Sequence, residues 1–427
     1  MSSALLGYRE AASLVAACAA KRARVRPGAE RVQLGQALGR VLAEPLRADS
    51  DQPPFARSTR DGFACRAAEA STHRRLAAAG TTRAGQAPPG PLPRGSVWEI
   101  MTGAPVPTGV DAVVMLEHVE TAGTGLALTA RLLPPRSVAK GDNIVARGAQ
   151  ARKGDLLLPT GTVIGAAQIA LAASCGCATL KVFLRPRIAI LSTGDELVPI
   201  RSTPGPGQIR NSSSAMLAAM VRAAGGSPWI LPVARDTANS LDAALARAAT
   251  ADLLLITGGV SAGKFDLVEP ALAHMGARFH FTGVRIQPGK PLVFGELRPR
   301  STKAGPKLRS MQWFGLPGNP VSSAVTFLLF AAPVIAALAG RCARGQSFDC
   351  GPRFALAYLA EDVKAKPGLT RFLPGACTFA ESVPQVALVP WQGSGDLAAM
   401  ARANCFLVVP EDADRLPAGS TVRILLS

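Results

Sequence analysis

ADLLLITGGVSAGKFD, residues 251–266, divides into two halves of opposite character. Residues 252–256 form a short apolar, β-prone run that stops at Thr257, Gly258 and Gly259, the pattern of a buried strand delivering a glycine turn. Without a Cβ at Gly258 and Gly259, backbone N–H groups can approach an anion closely, and the Ser261 hydroxyl adds a donor beside them. The stretch reads as a phosphate or oxyanion cradle, with a ligand-free strand-to-helix connection as the plain alternative.

Working outward, the same strand-then-polar-turn pattern recurs. Residues 187–191 form a strand leading into STGDELV, residues 192–198, so Asp195 and Glu196 fall just past its carboxyl end, where open α/β sheets bind ligands. In GQIRNSSSAML, residues 207–217, Asn211 and Ser212 can cap a helix running to about residue 224. Residues 229–233 give a second strand, followed by Arg235, Asp236 and a helix near residues 241–249. GVRIQPGKPLVFGEL, residues 283–297, supplies two strands joined by a turn that holds Lys290. WFGLPGNPVSS, residues 313–323, brings a further strand into Pro317, Gly318, Asn319 and Pro320 and then a helix. The loops after these strands are small, polar or acidic and are expected to converge on one sheet edge. Residues 298–310 are basic and aperiodic, as in an exposed loop.

On the amino-terminal side, residues 4–20 look helical, and ALGRVLAEP carries the run 41–44 to a break at Pro45. In DQPPFARSTRDGFACR, Pro53 and Pro54 force an extended approach to an Asp61-Gly62 turn with a carboxylate at its tip. Short strands at 96–101, 112–116 and 126–133, separated by Gly and Pro, indicate a small β domain, within which Thr102 precedes the flexible Gly103. The turn-rich residues 141–161 lead to a helix at 166–173, which is expected to pack back against the first helix, so that the β domain interrupts a discontinuous one. From residue 348 onward strand-like pieces alternate with turns, including WQGSGDLAAMARANCFLVVP at 391–410, and predict a separate C-terminal β domain.

Bulk properties narrow the function. The 427 residues allow roughly three domains, and 48% hydrophobic with 18% charged residues is a globular composition. A net charge of +18 is spread through every segment with only 5% aromatic residues, which favours a small polyanionic substrate over nucleic acid. Eight dispersed cysteines suit reduced thiols in a cytoplasmic protein, and four histidines with no CxxC pair argue by spacing against zinc. The basic cluster follows the first apolar stretch, the wrong order for a signal peptide. Residues 321–340 and 161–180 are uncharged, but their Ala, Ser, Gly and Pro content suits buried helices rather than membrane spans.

Taken in order, PPF…DGFA, IMTGAPVPTGVDAVV, STGDELV, GQIRNSSS, TGGVSAGKFD, QPGKPLVFG, GLPGNPVSS and QGSGDLAAMARAN resemble the MoeA family of molybdopterin molybdenumtransferases, related to the E domains of plant and animal molybdenum-cofactor proteins. The resemblance spans residues 53–404. It implies a multidomain α/β and β fold with four parts: an elongated N-terminal domain (1–50 and 140–183), an inserted small β domain (51–139), a central α/β domain similar to molybdopterin adenylyltransferases (184–340) and a C-terminal β barrel (346–427). The implied activity is insertion of molybdate into adenylylated molybdopterin with Mg²⁺-dependent release of AMP. The implied partners are a second copy of the chain, and transiently a molybdopterin adenylyltransferase or apo-molybdoenzymes. By the same resemblance Gly258, Gly259, Ser261 and Asp266 hold the pterin phosphate, Pro317 and Pro320 shape their loop, and Ser394 helps hold molybdate. Glu196 and Asp236 are candidates for Mg²⁺, Lys290 supplies charge, and Asp61 and Thr102 reach the site of the other subunit. Adenylyl transfer to molybdopterin is the other enzymatic reading; the inserted and C-terminal domains oppose it.

Three positions depart from the family pattern. Arg147-Gly148 is followed by Ala149 and Gln150 where an acidic residue is usual, and Arg57 replaces a small polar residue. GLTRFLP, residues 368–374, has Leu369 and Pro374 at the arginine positions of a GRxxFxR-like segment, with Arg371 nearby on the alternate face of the expected strand. These changes point to a catalytically weakened carrier or scaffold as the alternative function.

Overall fold

The structure, a computed structural model, describes residues 5–23, 27–259, 267–297, 310–341, 351–379 and 383–427. Its centre is a six-stranded sheet in the order Ser227–Ile230, Arg187–Ser192, Leu253–Thr257, Met311–Leu316, Val293–Leu297, Ala277–Phe281. The first four strands are parallel and the last two antiparallel. Its inner strands are buried on both faces, which explains their unbroken apolar runs. Alternation assigns Ile188, Ile190, Leu253 and Leu255 to one core and Ala189, Leu191, Leu254 and Ile256 to the other.

The second strand begins at Ser227 and ends at Ile230, earlier than the expected 229–233. Pro228 is tolerated because this is an edge strand, and Pro232 has no N–H to extend the ladder. The first helix, Tyr8–Ala23, buries Ala11, Val15, Cys18 and Ala19 in the central core beside Phe330, Val334 and Ile335. It does not share a core with Ala166–Ser174 as expected from sequence. That helix packs instead over Ala37, Leu42 and Leu46, and the spacing of the small side chains on the first helix matches the Ala-rich helix Ala332–Leu338.

Between them the chain makes nested antiparallel pairings: Ala29–Gln33 with Thr179–Phe183, Leu46–Arg47 with Leu156–Leu158, and Arg57–Ser58 with Ile144–Val145. At the far end of this stalk lies a sheet ordered Ala112–Met115, Gly62–Cys65, Ser96–Ile100, Leu76–Thr82, Thr129–Leu132, Val119–Ala122. The C-terminal strands Phe354–Leu359, Thr370–Thr378, Gln385–Leu388, Cys405–Val409 and Thr421–Leu426 close a barrel, because Thr370–Thr378 pairs on both sides. Burial pushes the Cys65 and Cys405 thiols up to about 12, so both serve as packing groups.

The uncharged residues 321–340 fall on the helical segment Pro320–Leu338, 78% of whose apolar window is buried, the disposition of a core helix. A π turn at Phe327–Ala331 precedes Pro333, whose missing N–H breaks the regular ladder there.

Candidate functional site at the carboxyl edge of the central sheet

The parallel strands of the central sheet all point their carboxyl ends at one edge, and their loops are laced together through backbone. Thr193 N–H donates to Thr257 O at 3.0 Å, and Gly194 N–H to Ala234 O at 3.3 Å. Gly258 has φ +87°, and a Cβ there would lie 2.5 Å from the Thr193 carbonyl oxygen. Gly318 meets the other side of Gly258, where an added Cβ would sit 3.6 Å from the Gly258 Cα. Thr193, Gly258 and Gly318 thus form a floor that a side chain at Gly258 would fill, with Gly318 in ordinary contact beside it.

Polar groups ring this floor. The Thr193 hydroxyl is buried without a hydrogen-bond partner, an unsatisfied donor beside Gly258. The Glu196 carboxylate folds over Gly194, where a Cβ would come within 2.4 Å of Glu196 Oε2. Asp195, Glu196 and Asp236 are exposed. Beneath them Asn211 caps the helix Ser212–Ala223 by accepting from Ser214 N–H at 3.1 Å, and Ser192 Oγ lies 2.8 Å from Ser214 Oγ. Among the described residues of this edge the Thr193 hydroxyl is the buried polar group left over, which fits a cradle for an oxygen-rich ligand.

On the far side of the floor, Ser323 Oγ donates to Pro317 O, and Ser323 N–H to Asn319 O at 2.9 Å, so the Pro317–Pro320 turn is held from the helix that follows it. Asn319 Nδ2 then donates to Ser394 Oγ at 2.9 Å, and Val321 N–H donates to Ser394 O at 3.0 Å. The barrel's QGSG loop is therefore seated on the central loop. Asp396 fixes that loop, accepting from Ala399 N–H at 2.9 Å and Gln392 N–H at 3.0 Å, and these donors hold its carboxyl below the usual range. Thr193, Asn319 and Asp396 were not singled out from the sequence; Asp396 carries a readable signal, an Asp just before a helical run.

The remaining candidates are placed as follows. Lys290 is exposed in the turn between Ile286–Gln287 and Val293–Leu297, after Gly289 at φ +120°. Asp61 accepts from Thr102 N–H at 2.6 Å and from Thr102 Oγ1 at 2.8 Å, and both bonds lower its pKa. Among the described residues no hydrogen bond or ion pair joins this Asp61–Thr102 pair to the sheet-edge loops. Ser261 and Asp266 lie outside the described residues. Arg371 donates from Nε to Gln287 Oε1 at 2.9 Å and from Nη1 to Lys366 O, while Pro374, three residues on, is on the opposite face of the same strand. Gln150 is exposed next to the Arg147–Asp51 ion pair of 2.8 Å. Glu196 and Asp236 form no cluster with a third His, Cys, Asp or Glu among the described residues.

Comparison with known proteins decides the lineage. Residues 7–176 match the MoeA N-terminal region (domain I and II), 189–337 a probable molybdopterin binding domain, and 357–427 the MoeA C-terminal region (domain IV). A molybdopterin molybdenumtransferase of Nostoc sp. is 32% identical over 403 residues, covering 93% of this chain and 88% of that protein. The chain belongs to the MoeA family. A second relative, the molybdopterin molybdenumtransferase of Bacillus subtilis, is 33% identical over 409 residues, with 93% of this chain and 89% of that protein covered. The MoeA structure from Pyrococcus horikoshii OT3 superposes with a TM-score of 0.78 at 28% identity, covering 99% of this chain and 100% of that one. The MoeA relatives carry an enzyme name, and the three matched regions bracket the sheet, stalk and barrel described above.

Proposed function

We propose that this MoeA-family chain inserts molybdate into adenylylated molybdopterin and releases AMP, a Mg²⁺-dependent step of molybdenum cofactor biosynthesis in the cytoplasm. The observation that carries this reading is the glycine floor of Gly258 and Gly318 beside the unpartnered Thr193 hydroxyl, closed on one side by Ser394 of the barrel. Such a floor lets backbone N–H groups and a hydroxyl reach phosphate oxygens.

Opening a phosphoanhydride needs charge neutralisation and positioning more than a base. Gly258, Gly259 and Ser261 cradle the pterin phosphate, and Asp266 binds the same ligand; Pro317 and Pro320 keep the neighbouring turn in place, and Lys290 adds positive charge. The Glu196 and Asp236 carboxylates follow adjacent strands and are exposed oxygen donors, which fits a Mg²⁺ that keeps water and phosphate as its other ligands. When bound, that ion offsets phosphate charge. In a homodimer Asp61, held ionised by Thr102, reaches the partner's site and orients substrate. A molybdopterin adenylyltransferase supplies the substrate, and apo-molybdoenzymes accept the product.

The test is AMP release from adenylylated molybdopterin by purified protein, with molybdate and Mg²⁺ each present or omitted. Release that needs both supports the assignment, and binding without release under every condition overturns it. One observation favours the carrier reading: Pro374 is buried beside Phe406, and Arg371 is committed to Gln287 on the other face. On that reading the unmodified chain binds substrate without turnover, and Pro374→Arg restores release.

A further inference from the structure

A second cluster of ligand-type side chains lies away from the sheet edge, where the first helix crosses the antiparallel side of the central sheet. Cys18 projects from Tyr8–Ala23, His280 from Ala277–Phe281 and Glu296 from Val293–Leu297. Their ligand atoms all lie within 4.8 Å of one another, and among the described residues this is the one such group of three or more. We propose that Cys18 Sγ, His280 Nε2 and a Glu296 carboxylate oxygen bind a divalent transition metal, zinc by preference, at a site that fastens the N-terminal helix to the sheet.

Four observations carry the proposal. The first is convergence: His280 Nε2 is the shared point, 4.0 Å from Cys18 Sγ and 3.9 Å from Glu296 Oε1. Tetrahedral zinc, with bonds of about 2.3 Å to sulfur and about 2.0–2.2 Å to nitrogen and oxygen, needs ligand separations of roughly 3.3–3.6 Å. The two edges at His280 must therefore contract by about half an ångström each, and the Cys18–Glu296 edge, which is no longer than 4.8 Å, by at most about 1.2 Å, within reach of rotamer adjustment. The second is the gap itself, since 3.9 Å is too long for a hydrogen bond between imidazole and carboxylate, and the groups face one another without closing. The third is preorganisation: the His280 ring stacks on Phe294 with centroids 5.2 Å apart, the Cys18 residue is only 8% exposed, and the His280 and Glu296 side chains are 13% and 20% exposed. The fourth is chemistry. A metal that displaces the Cys18 proton gains a thiolate that, with the Glu296 carboxylate, balances a dipositive ion, and a sulfur–nitrogen–oxygen set selects zinc over magnesium. Ligands at positions 18, 280 and 296 follow no short spacing rule, so the sequence gives no sign of the site.

The experiment uses the full chain, stripped with a chelator and titrated with Co²⁺ and then Zn²⁺. A thiolate-to-cobalt charge-transfer band saturating at one equivalent, displaced by Zn²⁺, is expected. It should survive Cys177→Ser, which removes a partly exposed thiol elsewhere, and be lost in Cys18→Ser and His280→Ala. Zn²⁺ should also raise the Tm of the unmodified chain and leave that of Glu296→Gln unmoved, a readout that stands if the Cys18 variant fails to fold. No cobalt–thiolate band in the unmodified chain, or a band that persists in His280→Ala, overturns the site. AMP release is not part of the test, so its outcome is separate from the assigned reaction.

Discussion

The residue that tolerates least change at the sheet edge is Gly258. Its φ of +87° is strained for a side-chain-bearing residue, and an added Cβ would stand 2.5 Å from the Thr193 carbonyl. Gly258→Ala should therefore cost about 1–3 kcal/mol of stability, read from urea midpoints, and abolish pterin binding even where the fold survives. A variant that binds substrate normally removes Gly258 from the cradle. Asp61 makes a different prediction. Its folded pKa is depressed by the Thr102 N–H and hydroxyl, so its contribution to stability is present above the ordinary carboxylate value and is lost only as pH falls through the lower, folded value. Thr102→Val removes one donor, and the Asp61 midpoint followed by NMR should rise toward an ordinary aspartate; an unmoved midpoint rejects the hydroxyl's part. The sequence shows both residues, Asp61 in an Asp-Gly turn and Thr102 in a Thr-Gly pair, but not that one accepts from the other across 41 positions.

At the scale of elements, what can be read in advance depends on how each strand is buried. Arg187–Ser192, Leu253–Thr257 and Met311–Leu316 are covered on both faces, so burial writes them as apolar runs ended by small residues. Leu76–Thr82 is LAAAGTT, half exposed, with a run of small residues at its centre and β-branched side chains only at its end, so its strand signal is weak; Ala277–Phe281 is an edge strand with Arg and His in it. The same limit hid how the first helix docks, since its apolar stripe does not say which surface it meets. That docking is testable at Phe330, fully buried in the helical segment Pro320–Leu338 and edge-on to Tyr8 with ring centroids 6.0 Å apart. Phe330→Ala should lower stability by about 3–5 kcal/mol in urea, the cost of a large buried aromatic and its cavity. A loss under about 1 kcal/mol would mean that the helices repack or that their contact contributes little.

For the whole molecule, the candidate site depends on parts far apart in the chain. The barrel is tied to the central loops by Asn319–Ser394, 75 residues apart, and by the parallel pairing of Ile286–Gln287 with Thr370–Arg371. Neither tie has a local sequence signature, which is why the motifs could be ordered from sequence while their mutual contacts could not. The net charge of +18 acts at this same scale. On the proposed function, a substrate carrying phosphate and a molybdate dianion would both be drawn by that field, and screening shortens its reach to about 10 Å at 0.1 M salt. Raising ionic strength with an inert salt should lower kcat/KM for adenylylated molybdopterin several-fold and leave kcat nearly constant, because steering acts on encounter and not on the bound state. Lys290→Gln should flatten that salt dependence more than loss of an arginine on the stalk such as Arg147, which is already paired with Asp51. If kcat/KM is indifferent to salt, the positive charge does not serve substrate capture, and equal slopes for the two variants would take Lys290 out of the path by which the anion arrives.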